Sequence, residues 1–281
     1  MAFYPLNVEL LLKLALEEDL GQGDVLGESL QARLGNTRKR FQIVPRQACV
    51  VSGLKAVETL IRLGGFDVQF KPLSADGRRV LAFTPIAEME GKLLDVLALE
   101  RTALNVLQHL SGVATLTHAF VQAMEGTSTK VVHTRKTLGG WRFLQQQAVL
   151  DGGGSSHRYN LSHTAMLKDN LIQSLDVPLD EVTALVRQRL PHTAKLEIEC
   201  DTLDQIPAAL QAKADVILLD NMSLEDIQKA VALIAGQAII EVSGGITLAN
   251  VKAYAQAGVN IISTSQITMA APPIDIGLDT L

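Results

Sequence analysis

From Lys130 onward the chain repeats one alternation, and this constrains its fold more than any single motif. Short apolar runs, "KVVHT", "TAMLKDN", "AKLEIE", "ADVILLDN", "AIIEVSGG" and "NIISTS", are separated by amphipathic segments such as "LDEVTALVRQRL", "LDQIPAALQAKA", "LEDIQKAVALIA" and "LANVKAYAQAG". The last four runs are too short for helices and nearly continuously apolar, as strands buried on both faces are. Buried strands alternating with helices predict a parallel α/β architecture. The ends of those four runs, at Glu199, Asp220, Ser243 and Thr264, lie 21, 23 and 21 residues apart.

Each run closes on polar residues. The first ends in Thr134, Arg135 and Lys136, and the second in Lys168, Asp169 and Asn170. The others end in Glu199, in Asp220 and Asn221, in Ser243, Gly244 and Gly245, and in Thr264 and Ser265. In a parallel barrel the C-terminal strand ends converge on one face, so these groups should share one mouth. Charge points the same way. Only 20% of residues are charged and the net charge is −5, yet His133–Asn170 gathers Arg135, Lys136, Arg142, His157, Arg158 and Lys168. A basic cluster in an acidic chain predicts a small anionic ligand and argues against nucleic acid.

The residue types refine the expectation. Arg offers a planar fork and Lys a point charge, so Arg135, His157, Arg158 and Lys168 suit a ligand with two carboxylates. Glu197 and Glu199 lie two apart on one strand and face the same side. Glu199 and Asp220 either pair with Lys136 and Lys168 as structural bridges or bind a ribose and Mg²⁺, and the two roles are compatible. "SGGIT" precedes a helix expected to start near Thr247, where backbone N–H groups cradle phosphate. Ser263–Ser265 offers hydroxyls for the same phosphate, while Gly152–Gly154 reads as a connection. His109, His118 and Cys200 read as structural, and Trp141 as a cover for the mouth.

The first part has a different texture. Leu6–Asp19 and Leu54–Gly65 have helical spacing, residues 39–90 otherwise read as short strands and turns, and 93–124 is strongly helical with Ser111-Gly112 as a break point. The expected organisation is residues 1–110 as an α/β layer and 111–281 as the α/β barrel carrying the site. Cys49 and Cys200 have no metal or disulfide spacing and suit a reducing, cytoplasmic setting. No apolar run is long enough to span a membrane. The N-terminal stretch lacks the basic start and long apolar core of a signal peptide.

Several motifs in one order carry a resemblance over nearly the whole chain: "EEDLGQGDV", "ALERTALNVLQHLSGVAT", "TRKT", "AVLDGGGSSHR", "LKDN", "LEIE", "ILLDN" and "EVSGGITL". The sequence resembles the quinolinate phosphoribosyltransferase family. The resemblance implies an N-terminal α/β sandwich, with a return contribution from the C-terminal end, and an open or irregular α/β barrel. It implies the joining of quinolinate to phosphoribosyl pyrophosphate with Mg²⁺, giving nicotinate mononucleotide, pyrophosphate and CO₂. It also implies a homodimer or higher homo-oligomer with an active site shared between subunits. By motif, Arg101 would reach quinolinate from the neighbouring subunit, and Arg135, His157, Arg158 and Lys168 would bind its carboxylates. Lys136, Glu199 and Asp220 would serve phosphoribosyl pyrophosphate, with Glu199 and Asp220 toward the metal. Ser243, Gly244, Gly245 and Ser265 would hold phosphate. His133, Leu138, Gly139, Gly140, Leu171, Ser265 and Met269 depart from the family pattern. These departures keep two alternatives in view: a molybdate-transport-linked homologue and a non-catalytic metabolite-binding relative.

Overall fold

The computed structural model describes residues 5–174 and 177–281. The strands in chain order are β1 (Arg38–Pro45), β2 (Cys49–Val50), β3 (Val68–Pro72), β4 (Arg79–Val80), β5 (Ala87–Lys92), β6 (Lys130–Val132), β7 (Ala165–Leu167), β8 (Leu196–Cys200), β9 (Val216–Asp220), β10 (Ile239–Ser243), β11 (Ile261–Ser263) and β12 (Ile276–Thr280). The chain forms two compact units. One holds the residues up to His118 together with Thr137–Gly153 and Ile267–Leu281, and the other holds Ala119–Lys136 and Gly154–Gln266.

The first unit is built on an antiparallel sheet in the order β12-β1-β5-β3. Alternation decides which side of it is wet. Ala87, Met89 and Gly91 of β5 are buried while their neighbours are not. Phe41 and Ile43 of β1 stand opposite Met89 and Ala87. The last strand pairs with the first, Phe41 opposite Thr280, and Arg46 donates to Asp279 at 2.8 Å beside this seam. Helix Leu54–Gly64 buries Leu54, Ala56, Val57 and Leu60 along one stripe and stops at Gly65, which adopts a left-handed φ of 67°.

Helix Leu93–Ala123 runs unbroken for 31 residues, so Ser111-Gly112 is no break point. The two residues make close approach instead. The Ser111 hydroxyl accepts from the Ser52 amide at 3.1 Å and donates to the Ser52 carbonyl at 3.3 Å. Gly112 leaves room for the Pro272 carbonyl where a Cβ would collide. Trp141 is edge-on to His109, with ring centroids 5.5 Å apart.

The second unit has the expected parallel sheet, in the order β6-β11-β10-β9-β8-β7. Its short strands bury the side that faces the helices completely. Ile198, Ile217, Leu219, Val242 and Ile262 are all at most 1% exposed, and burying each such side chain is worth about 1.5–3 kcal/mol. Helices such as Leu224–Ile234 cover the sheet with a buried stripe of Ile227, Ala230 and Ile234. The parallel register places Glu199, Leu218 and Glu241 level with one another, and Asp220 level with Ser243. Met166 lies level with Glu197. One face of the sheet therefore carries the polar residues, and the other carries the apolar residues that pack under the helices.

Candidate active site

A cavity of about 360 Å³ is lined by residues from both edges and the middle of this sheet. Arg135 and Lys136 follow β6, Lys168 follows β7, and Glu199, Asp220, Glu241, Ser243 and Ser263 come from β8 to β11. Edge strands that do not pair with each other yet line one cavity require a sheet curled into an open barrel. His157 and Arg158 enter from the segment that follows helix Arg142–Asp151 and leads into β7. An adjoining cavity of about 220 Å³ shares Thr134, Lys136, Ser243 and Ser263 and adds Gly244, Gly245 and Ser265.

The expected strand-end residues of the barrel are thus brought together. Arg135, Lys136, His157, Arg158, Lys168, Glu199, Asp220 and Ser243 share the larger cavity, and Lys136, Ser243, Gly244, Gly245 and Ser265 share the smaller. Two cations named in the sequence lie elsewhere. Arg142 belongs to the first unit, where its Nε donates to Thr137 at 3.2 Å. Arg101 is exposed on helix Leu93–Ala123. Larger clefts exist without this chemistry. One of about 460 Å³, between Leu161 and Pro191, has Arg189 as its only ionisable lining group among the described residues. Another, of about 560 Å³, lies at the N-terminal strand ends around Lys195, Lys213 and Asp215, the end of a barrel that serves stability.

Local structure explains how the loops are held. Thr134 accepts from the Lys136 amide at 3.0 Å, and Thr264 accepts from the Gln266 amide at 3.2 Å while donating to the Ile246 carbonyl. Gly244 has φ 84°, and any side chain there would run into Asn221, so only glycine fits. The helix after "SGG" begins at Val251, not near Thr247. Asn250 delays it by accepting from the Thr247 amide at 2.8 Å and donating to the Gly245 carbonyl at 3.0 Å. The phosphate cradle is therefore a clamped loop rather than a helix end.

The electrostatics divide into two groups. Lys168 donates to Glu199 at 2.6 Å, the structural bridge that the sequence left open. Glu199 is buried, and burial raises its pKa against the lowering pull of Lys168. Asp169, Glu199 and Asp201 each bring an oxygen within 4.8 Å of the others. The second group is deeper: His157 Nε2 lies 3.3 Å from Glu241 and 3.7 Å from Glu197. Burial pushes Glu197 up to about 8, reinforced by the Glu241 charge. Burial alone would lower His157, but the hydrogen bond and charge of Glu241, with the charge of Glu197, raise it. Burial lowers Arg158, against the acids around it.

Sequence reasoning missed Asp201, His133 and Glu241 as site residues, and placed Asp169 at the mouth without giving it a role. Glu241 had a signal. It stands two residues before Ser243, in the same alternation that puts Glu197 beside Glu199. His133 had none as a partner of His157, because the backbone contact between them exists only in the folded loop.

Comparison with known proteins completes the description. The families described as "Quinolinate phosphoribosyl transferase, N-terminal domain" and "C-terminal domain" match residues 24–111 and 113–279. A relative from Synechocystis, named a probable nicotinate-nucleotide pyrophosphorylase (carboxylating), is 37% identical over 94% of this chain and 89% of its own length. One from Mycobacterium leprae, named nicotinate-nucleotide pyrophosphorylase (carboxylating), is 36% identical over 94% of each chain. The crystal structure of the nicotinate-nucleotide pyrophosphorylase from Ehrlichia chaffeensis superposes with a TM-score of 0.91, at 35% identity, over 100% of this chain and 99% of that one. That from Francisella tularensis gives 0.90 at 32% identity, over 98% and 96%. The motifs, the two-unit architecture and these likenesses agree, and the chain belongs to the quinolinate phosphoribosyl transferase family.

Proposed function

We propose that this protein transfers the phosphoribosyl group of phosphoribosyl pyrophosphate to quinolinate with loss of CO₂, forming nicotinate mononucleotide and pyrophosphate in the making of NAD. The observation that carries the reading is one cavity holding Arg135, Lys136, His157, Arg158 and Lys168 together with Glu199 and Asp220, and an adjoining one lined by Gly244 and Gly245. The cations match a planar dicarboxylate. Arg135 and Arg158 provide forks, Lys168 a point charge, and His157 a ring donor. Lys136, Ser243, Gly244, Gly245 and Ser265 line the smaller cavity and offer donors for phosphate oxygens.

The reaction needs orientation more than a nucleophilic side chain. Holding the pyridine nitrogen against ribose C1 makes attack effectively unimolecular. As the C1–O bond to pyrophosphate breaks, positive charge develops on the ribose, and the carboxylates of Glu199 and Asp220 stabilise it electrostatically. Joining the ribose makes the ring nitrogen cationic. The bond to the 2-carboxylate then breaks, its electron pair stays on C2, and C2 takes up a proton as CO₂ leaves. Glu199, Asp169 and Asp201 bring oxygens within 4.8 Å of one another, with the charge of Asp220 close by, an all-oxygen donor set of the kind Mg²⁺ prefers. Bound Mg²⁺ would neutralise charge on the departing pyrophosphate. Arg101 is exposed between exposed Leu97 and Asn105 on one helix face, an arrangement suited to a second copy of the chain, and we take the working form to be a homodimer. A cytoplasmic setting suits the buried free thiols of Cys49 and Cys200.

The test is direct. Purified protein is supplied with phosphoribosyl pyrophosphate, Mg²⁺ and quinolinate labelled in its 2-carboxylate. Labelled CO₂ and nicotinate mononucleotide should appear in equal amounts. Quinolinate binding without either product would indicate a metabolite-binding relative, and failure to bind either substrate would overturn the assignment.

A further inference from the structure

His157 is held from two sides by groups that the reaction itself does not require. On the ring side, Nε2 faces Oε1 of Glu241 at 3.3 Å and Oε2 of Glu197 at 3.7 Å, and both carboxylates are almost wholly buried. The nearer carboxylate, Glu241, accepts from Nε2, which therefore carries the proton. On the backbone side, the His157 amide donates to Nε2 of His133 at 3.2 Å, and His133 is 0% exposed. Because His133 Nε2 accepts, its ring proton sits on Nδ1, which faces the Thr134 carbonyl at 3.4 Å.

One polar atom of His157 is left over. Its Nδ1 is buried and has no hydrogen-bond partner among the described residues, an arrangement that calls for an explanation. The ring lines the larger cavity. Burial works against a charge on this ring, but the hydrogen bond and charge of Glu241, 3.3 Å from Nε2, raise its pKa. An imidazolium carries a proton on Nδ1 as well.

We propose that Glu241 and His133 are positioning residues for His157, the first fixing the ring through Nε2 and the second fixing the backbone, so that His157 presents Nδ1–H to a carboxylate of the ligand. The proposal deepens the quinolinate reading and rests on it for the identity of the ligand, but the state of the ring is independent of it. Glu241 touches no reacting atom in this account. It acts through His157, as a partner that orients a ligand-binding imidazole.

The test therefore has two readouts. In ¹⁵N-histidine spectra of the whole, ligand-free protein, the His157 signals are identified by their loss in His157→Gln. The Nε2–H proton should be present and slow to exchange in the wild type, kept in Glu241→Gln, whose amide oxygen still accepts, and lost in Glu241→Leu. In steady-state kinetics, Glu241→Leu should raise the quinolinate KM about tenfold or more, the scale of one charge-assisted hydrogen bond. The KM for phosphoribosyl pyrophosphate and kcat should change less than about threefold, and Glu241→Gln should recover most of the loss. His133→Asn, which keeps an acceptor, should likewise outperform His133→Leu. Absence of the Nε2–H proton from the wild type, equal damage by Gln and Leu, or a joint rise of both KM values would overturn the proposal. Should Glu241→Leu not fold, the proton must still be present in both wild type and Glu241→Gln. If quinolinate is not turned over at all, the spectra still decide the positioning role, so the two readings fail separately.

Discussion

Lys136 and Asp220 sit at strand ends, beyond the packed middle of the sheet, so each can be truncated without opening the core. Lys136→Ala and Asp220→Ala should each lower kcat/KM by roughly a hundredfold or more, the scale of a lost electrostatic contact in a transition state, while circular dichroism and melting stay near wild type. Folded variants with near-normal rates would remove these residues from the site. Glu197 makes a prediction about pH. Its pKa rises on folding to about 8, so it favours the fold where it is protonated. That contribution is complete below the unfolded carboxylate range of about 4.3 and is lost as pH climbs through the folded value. Glu197→Gln cannot ionise, and its melting temperature relative to wild type should rise steadily from about pH 5 to about pH 8.5. Parallel melting curves across that range would show that Glu197 does not titrate as its burial requires. The single residues also mark where sequence reading stops. Arg135, Lys168 and Asp220 were legible because strand ends expose them by rule. The contact of His133 with the His157 amide crosses 24 residues, the helix Arg142–Asp151 among them, and no periodicity reports it.

At the level of elements, the short parallel strands were legible almost to the residue, since continuous apolar runs bounded by polar residues leave few other foldings. The helices were less so, because a glycine in a helical sequence can mean a stop or a close approach. Gly112 is the second kind. Replacing it by alanine gains about 1 kcal/mol of helix propensity. It also drives a Cβ against the Pro272 carbonyl, where a backbone neighbour cannot rotate aside, and such overpacking typically costs about 1–3 kcal/mol. The clash should win, so Gly112→Ala should melt several degrees below wild type. An unchanged or raised melting temperature would show that the Pro272 segment moves freely. The delayed helix after "SGG" has the same lesson. Asn250 competes for the loop amides through its side chain, and turn residues of this kind blur helix starts.

On the scale of the whole molecule, the exposed Arg101 gives a countable prediction. Mixing Arg101→Ala with Asp220→Ala subunits under free exchange makes about half of the dimers mixed. If Arg101 serves the neighbour's site, each mixed dimer has one intact site, and activity should return to about a quarter of wild type. If it serves its own chain, mixing restores nothing, provided that exchange is shown independently by mass. The pairing of β12 with β1 has a consequence of another kind, in time rather than in space. Phe41 is made early, and its partner Thr280 follows 239 residues later. At typical synthesis rates of about 5–20 residues per second, β1 leaves the ribosome roughly 12–48 s before β12 exists. For that interval β1 is an open edge, with unpaired backbone groups that could template pairing with another nascent chain. It begins Arg38-Lys39-Arg40, all exposed, and cations along an open edge repel an identical strand. The same three residues, two of them ion-paired with Asp67, Glu88 and Glu90 in the finished protein, should discourage such pairing while the ribosome is still at work.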